Sequence, residues 1–173
     1  MINTKPSYSS TVHECEITNI NHLTDHAFEI FFKKPFDFTA GQHVIASLDG
    51  EIYDREYSIA SAEEDSEIKI LVKEVEDGYF TPLLKKTKVG DNLKIRGAHG
   101  RFCIDLINDI EKDIVLIATG TGIAPFRSMV KSYPELKFNI IHGVRDTEES
   151  YYKNEIDCSY ICCTSKSKNG DFN

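Results

Sequence analysis

The sequence has no apolar run long enough to cross a bilayer as a helix. Nor does it open with the charged-then-apolar layout of an export signal, since its first ten residues read MINTKPSYSS. Positive charge is scarce: 20 Lys and Arg stand against 28 Asp and Glu, a net charge of -8. That balance speaks against a nucleic-acid partner, which needs a basic surface, yet a few local cations can still hold a small anion. Cysteine is sparse and odd in number, with five residues (Cys15, Cys103, Cys158, Cys162, Cys163), so at least one thiol stays unpaired. Reduced thiols in a cytoplasmic protein are the simpler expectation. Internal repeats and low-complexity tracts are also lacking. The expectations so far are a cytoplasmic chain with no membrane and no nucleic-acid partner.

What is present divides into two textures. With 173 residues, 40% of them hydrophobic, the chain can fill one large core or two small ones. Alternating apolar segments at 11–20, 27–32, 43–48, 56–60, 68–75 and 92–96 read as short strands joined by turns. Their spacing predicts a small antiparallel barrel or sandwich. Within it, Thr81 suits an N-cap and Pro82 a first helical position, which predicts a helix over 82–88. Residues 108–113 are polar and charged and mark a boundary, so domains over 1–108 and 109–173 are expected. Beyond it, IVLIA at 114–118 is a continuous apolar run of the kind a buried parallel strand needs. A helix near 126–132, a strand at 138–141, helix at 148–155 and a strand at 160–163 complete the pattern. Strand, helix, strand, helix, strand predicts a doubly wound parallel sheet, about half of one whose full form has five or six strands.

Three segments carry chemistry. The first is Arg55-Glu56-Tyr57-Ser58-Ile59-Ala60-Ser61. On a strand, Arg55, Tyr57 and Ile59 share one face. Arg offers a forked cation for phosphate, and Tyr a flat ring to stack on a planar heterocycle. The competing account is a barrel strand with a surface Arg and a core Tyr. The second segment is Asp77-Gly78-Tyr79-Phe80-Thr81-Pro82. A Gly beside a helix start exposes backbone N–H groups to an anion, although a plain turn with a helix cap is, for this segment alone, the better account. The third, Thr119-Gly120-Thr121-Gly122-Ile123-Ala124-Pro125, follows a buried strand and opens a helix. Two glycines there let the backbone approach a pyrophosphate, and Pro125 fits an early helical position.

Together, and in this order, the segments resemble the ferredoxin–NADP reductase family. Arg55-x-Tyr57-Ser58-x-x-Ser61 resembles its flavin motif, and Gly120–Pro125 its nicotinamide-cofactor pyrophosphate loop. Gly97-x-x-Gly100-x-Phe102 is similar to its barrel-closing turn, with Ala98 where Pro is usual. FTAGQHV at 38–44 and HGVR at 142–145 are similar to further family segments. The resemblance implies a flavin-binding antiparallel barrel followed by a partial α/β nucleotide-binding domain. It implies an oxidoreductase in which hydride passes between nicotinamide C4 and flavin N5, and the flavin exchanges single electrons with a ferredoxin, a flavodoxin or another electron-transfer protein. The cofactor does the chemistry and the protein positions it.

By that resemblance, Tyr57 stacks on the flavin ring and Ser58 sits near its N5, the two residues nearest catalysis. Arg55 holds the flavin phosphates, and Ser61 favours FAD over FMN. Leu71, Val72, Lys73, Gly78, Tyr79, Phe80 and Thr81 line the flavin tail. Thr119, Gly120, Thr121, Gly122 and Pro125 receive the nicotinamide cofactor. NADPH is favoured over NADH, because the second parallel strand ends in Arg145 instead of an acid, and Ser165-Lys166 stands where the family often has Ser-Arg.

Lys85, Lys86, Lys88, Lys94, Arg96 and Arg101 form a basic stretch in an acidic chain, either a docking face for an acidic partner or an ordinary solvated face. A monomer is expected. The C-x3-C-C spacing of Cys158, Cys162 and Cys163 fits no metal site, and buried structural thiols are expected there. The alternatives to a ferredoxin- or flavodoxin-linked reductase are an NADH-dependent reductase component of an oxygenase, or a flavin-binding module without turnover.

Overall fold

The structure, a computed structural model, describes residues 10–104 and 111–172. The predicted boundary at 108/109 lies outside the described residues. Six strands make the first sheet: β1 (His13–His22), β2 (Ala27–Lys33), β3 (His43–Leu48), β4 (Asp54–Ser58), β5 (Glu67–Lys73) and β6 (Asn92–His99). Their order is β4-β3-β6-β1-β2-β5, with every neighbouring pair antiparallel. The sheet curls until its ends meet. Just past β4, Ile59 bridges Ile70 of β5, and the Ala60 N–H donates to the Lys69 carbonyl at 2.8 Å. A closed sheet has no free edge strand, and the barrel reading of the sequence holds.

Alternation fills the barrel interior. Phe28, Ile30 and Phe32 on β2 meet Ile68, Ile70 and Val72 on β5, and Ile17, Leu93 and Ile95 close the core from β1 and β6. Each of these side chains contributes about 1.5–3 kcal/mol by leaving water. A short helix, α1 (Phe80–Lys85), plugs one end with Phe80 and Leu84. It starts earlier than the predicted 82–88 and is not capped by Thr81. The Thr81 hydroxyl instead accepts the Val75 N–H at 2.9 Å and ties down the turn before the helix.

The second unit is a parallel sheet in the order β7-β8-β9, with β7 (Asp113–Thr119), β8 (Lys137–Val144) and β9 (Ser159–Thr164). After β7 come a 3-10 turn (Gly120–Ile123) and α2 (Ala124–Ser132). The helix covers one sheet face over Leu116, Ala118, Phe138 and Ile140. On the other face Val115 and Ile117 are exposed. The helix expected at 148–155 is a 3-10 turn (Thr147–Glu149) followed by further turns, with Tyr152 at φ 66°. Left-handed backbone at that position cannot continue a helix.

The two units share one core. Ala27, Ala40, Ala60 and Leu71 from the barrel pack in the same buried cluster as Phe126, Met129, Tyr151 and Tyr152. Gly41, at φ 101°, sits at the seam, where a Cβ would lie 1.8 Å from the Phe102 carbonyl oxygen and 2.6 Å from the Met129 methyl. Only glycine fits that backbone and that approach.

Candidate functional site

The barrel and the parallel sheet meet at a cleft. A cavity of about 580 Å³ is lined on the barrel side by Tyr57, Ser58, Leu71, Lys73 and Val75, and on the other by Thr121, Gly122 and Arg145. A second cavity of about 580 Å³ adjoins it over the carboxyl ends of the parallel strands. Lys73, Thr121 and Arg145 line both, and the second adds Thr119, Gly120, Gly143 and Ser165. Ligands of open parallel sheets bind at this end of the strands.

Local chemistry explains each wall. Tyr57 is held on β4 against Val44 of β3. Its hydroxyl is buried without a hydrogen-bond partner, and burial pushes the phenol well above its ordinary value, with Arg55 pulling weakly the other way. An orphaned buried hydroxyl is costly alone and fits a site completed by a bound polar heterocycle. Gly120 adopts φ 50°, and a Cβ at Gly120 or Gly122 would meet nothing within 4 Å. These two positions are therefore bare of side chain where a ligand's phosphates could press against the backbone. Both observations fit the groups that the sequence implies.

The cleft carries charge of both signs, with Glu56, Glu74 and Glu149 on its walls beside Lys73 and Arg145. Lys73 Nζ donates to Glu149 Oε1 at 2.6 Å, across the seam between barrel and sheet. Burial works to raise the Glu149 carboxyl, but the hydrogen bond and charge of Lys73, with help from Arg145, hold it below the usual carboxylate value. Behind the glycine loop, His142 is fully buried. Its Nε2 lies 2.7 Å from the Gly120 carbonyl oxygen, and its Nδ1 faces the Tyr160 hydroxyl at 2.5 Å. Burial lowers its basicity, with the Gly120 carbonyl opposing.

The predicted residues divide. Tyr57, Ser58, Leu71, Lys73, Thr119, Gly120, Thr121, Gly122, Arg145 and Ser165 come together on the cleft. The side chains of Val72, Phe80 and Pro125 do not reach it, because each is packed in the interior. Ser61 is also buried, where its hydroxyl accepts the Lys69 N–H at 3.1 Å as a structural bond. Gly78 shapes a turn, donating its N–H to the Val75 carbonyl at 2.8 Å. Tyr79 lies outside against Tyr53, ring centroids 4.9 Å apart, and Thr81 holds Val75. Arg55 is exposed and bends back, donating to the Asp54 carbonyl at 2.7 Å. Lys166 is exposed beyond β9, its N–H bonded to the Arg145 carbonyl at 2.9 Å.

Other expectations also change. The basic stretch is less free than its sequence implies: Lys85 is paired with Glu74, Lys94 with Asp49 and Arg96 with Asp54. Of the three late cysteines only Cys162 is buried, and Cys163 lines the second cavity. All five thiols are free of disulfides. No helix among the described residues is long and apolar enough to cross a membrane.

Sequence reasoning missed Glu149, His142 and a buried charge network. In that network Lys69 meets Glu29 at 3.0 Å, Arg127 grips Glu155 at 2.7 and 2.9 Å, and Arg127 also donates to the Ala60 carbonyl at 2.6 Å. A signal was there. Glu29 and Lys69 interrupt otherwise apolar strands, AFEIFFK and EIKILVK.

This two-part architecture defines a class: an antiparallel flavin-type barrel joined to a parallel nucleotide-type sheet with the site between them. Residues 16–104 match the family described as "Oxidoreductase FAD-binding domain", and residues 116–159 the one described as "Oxidoreductase NAD-binding domain". The chain is 33% identical over 151 residues to a flavodoxin/ferredoxin–NADP reductase of Rhodobacter capsulatus, covering 81% of this chain and 55% of that one. It is 28% identical over 141 residues to the toluate 1,2-dioxygenase electron transfer component of Pseudomonas putida, covering 76% of this chain and 41% of that one. A crystal structure of a ferredoxin NADP+ reductase from Neisseria gonorrhoeae with bound FAD and NADP superposes with a TM-score of 0.84 at 24% identity, covering 95% of this chain and 72% of that one. The chain belongs to the ferredoxin–NADP reductase family. It spans 41% and 55% of the length of these two curated relatives.

Proposed function

We propose that the chain is the flavin- and nicotinamide-binding portion of a reductase that moves hydride between NADPH and FAD and single electrons between the flavin and a ferredoxin or flavodoxin. One observation carries this reading: Tyr57 and Ser58 from the barrel and Thr121 and Gly122 from the glycine loop face a single cavity. Two ligands bound to these walls would meet there. Bound flavin supplies the redox chemistry, taking two electrons as hydride and releasing them singly. The chain positions and shields. Tyr57 offers a ring face, and Ser58 a hydroxyl on the same strand. Backbone N–H groups of the glycine loop and the cations Lys73 and Arg145 receive phosphates. Ser165 on the second cavity, with Lys166 beside it, favours the extra phosphate of NADPH. On this reading 1–108 is the FAD domain, 109–173 is the first half of the NADP domain, and the protein is a cytoplasmic monomer.

A second reading, an NADH-dependent reductase component of an oxygenase, draws support from the similarity to the toluate dioxygenase component. The test is an absorption spectrum of the purified chain, then anaerobic addition of NADPH and of NADH. Flavin bands that bleach faster with NADPH support the first reading, and faster bleaching with NADH the second. Flavin bands that bleach with neither leave a flavin-binding module. A chain that takes up no flavin, even when reconstituted with FAD, sinks the proposal.

A further inference from the structure

The glycine loop must solve a problem that its glycines create. Gly120 at φ 50° has wide backbone freedom, so the peptide joining it to Thr121 can turn either face toward the cleft. The two faces are opposite in sign. In a trans peptide the C=O and the next N–H point in opposite directions, and the Gly120–Thr121 bond is trans. If the carbonyl faced the cleft it would repel an anion. If the N–H faces it, it donates.

His142 decides between them. In the parallel register it lies beside Ala118 on the buried face of the sheet, one strand over from the end of β7. From there Nε2 reaches the Gly120 carbonyl at 2.7 Å. A carbonyl only accepts, so Nε2 carries the proton, and Nδ1 must accept. Tyr160, on the same face of β9, supplies the matching O–H, with its ring centroid 5.9 Å from the imidazole and nearly perpendicular to it at 88°. Tyr160 thus fixes the tautomer, the tautomer fixes the donor, and the donor holds the carbonyl inward. With the carbonyl held toward His142, the trans peptide turns the Thr121 N–H the other way, and Thr121 lines both cavities. An N–H in the first turn of a helical segment has no partner within that segment.

We propose that His142 is a positioning residue for the nicotinamide cofactor: by anchoring the Gly120 carbonyl it presents the Thr121 N–H to the cofactor's pyrophosphate. This rests on the reading that the glycine loop receives that pyrophosphate, and adds the residue that sets the loop's polarity.

The test is calorimetric titration of the purified full chain with NADP+, for the parent protein and four variants, with flavin content recorded for each. His142→Leu removes the donor and is expected to weaken NADP+ binding about tenfold. His142→Gln restores an amide N–H near the Nε2 position and is expected to recover most of that loss. Tyr160→Phe frees the tautomer and is expected to weaken binding by less than His142→Leu does. Gly122→Val, which places a side chain in the open loop, is expected to abolish binding. Equal losses in the Leu and Gln variants would mean that His142 only packs, and would overturn the proposal. So would parent-like affinity in the Leu variant, or in Tyr160→Phe should the Leu variant not fold. In those cases loss of binding in Gly122→Val leaves the loop reading intact. Unchanged binding in Gly122→Val, or no binding by the parent chain, overturns both.

Discussion

Lys73 of the barrel and Glu149 of the nucleotide-binding unit form a 2.6 Å ion pair that spans the cleft. Among the described residues it is the closest charged contact between the two walls of the site. The pair is largely shielded, with side-chain exposures of 29% and 20%. Its contribution is about 1 kcal/mol. The carboxyl of Glu149 is held below its ordinary value of 4.5, so the folded state binds its proton less readily than the unfolded chain does. The stabilisation is therefore complete above about pH 4.5 and disappears as pH falls through the folded value. Thermal unfolding of the parent chain and Glu149→Gln should differ at pH 7, and the gap should close in acid. A gap that persists unchanged at low pH would show that the ion pair is not its source.

The buried pair of Lys69 and Glu29 follows a different rule. Glu29 is 1% exposed and has Lys69 at 3.0 Å. Removing one member leaves a buried charge without compensation, which costs about 3–5 kcal/mol. Lys69→Met should lower stability by that order in urea unfolding. The double variant Lys69→Met with Glu29→Gln should recover much of it, since the stranded charge is gone. A double variant no better than the single would mean that the lysine's packing over Phe31 and Tyr152, at 5.0 and 5.4 Å, dominates.

These two pairs also mark where sequence reading stops. Strand positions were legible because burial imposes a period of two: His43–Leu48 falls where the alternation put it, and the other strands differ from it by a few residues at their ends. The glycine loop was legible because an apolar strand, two glycines and an early proline constrain one another locally, although one face of that strand, with Val115 and Ile117, proves exposed. What joins the two halves was not, because Lys73 meets Glu149 and Glu63 meets Ser132 and Tyr133 across some seventy residues. No local pattern encodes such contacts. Ser61 was legible as a motif position, but the bond that its hydroxyl accepts from the Lys69 N–H, which comes from the next strand, was not. His142 sits in an apolar run, FNIIHGV, where an interior polar residue signals a buried partner without saying which.

Gly41 tests whether the seam is as tight as its geometry demands. An alanine there would need φ 101° and would place its methyl 1.8 Å from the Phe102 carbonyl oxygen. Backbone must move, as the obstacle is not a flexible side-chain end. Gly41→Ala should cost at least about 2 kcal/mol, from strain plus overpacking. Gly50→Ala is the control, because its φ of 76° is also unfavourable but nothing lies within 4 Å of the added Cβ. Equal melting temperatures for the two variants would locate the cost in backbone conformation alone, and the seam would lose its role.

Variants of Arg55 and Lys166 test the proposed flavin and nicotinamide sites separately. Arg55 is on β4 two residues from Tyr57, and its guanidinium donates to the exposed Asp54 carbonyl, a contact that it can exchange for phosphate at little cost. Lys166 is exposed and follows Ser165, which lines the second cavity, whereas Tyr57 lines the first cavity and not the second. Arg55→Ala should therefore yield protein with markedly less FAD, while Lys166→Ala keeps its flavin. In the latter the preference for NADPH over NADH should fall about tenfold, the scale of one charge-assisted hydrogen bond. Flavin content read from the absorption bands, and the ratio of nucleotide affinities, measure the two effects separately. Equal flavin content in both variants would remove Arg55 from the flavin site, and an unchanged nucleotide ratio would remove Lys166 from the other.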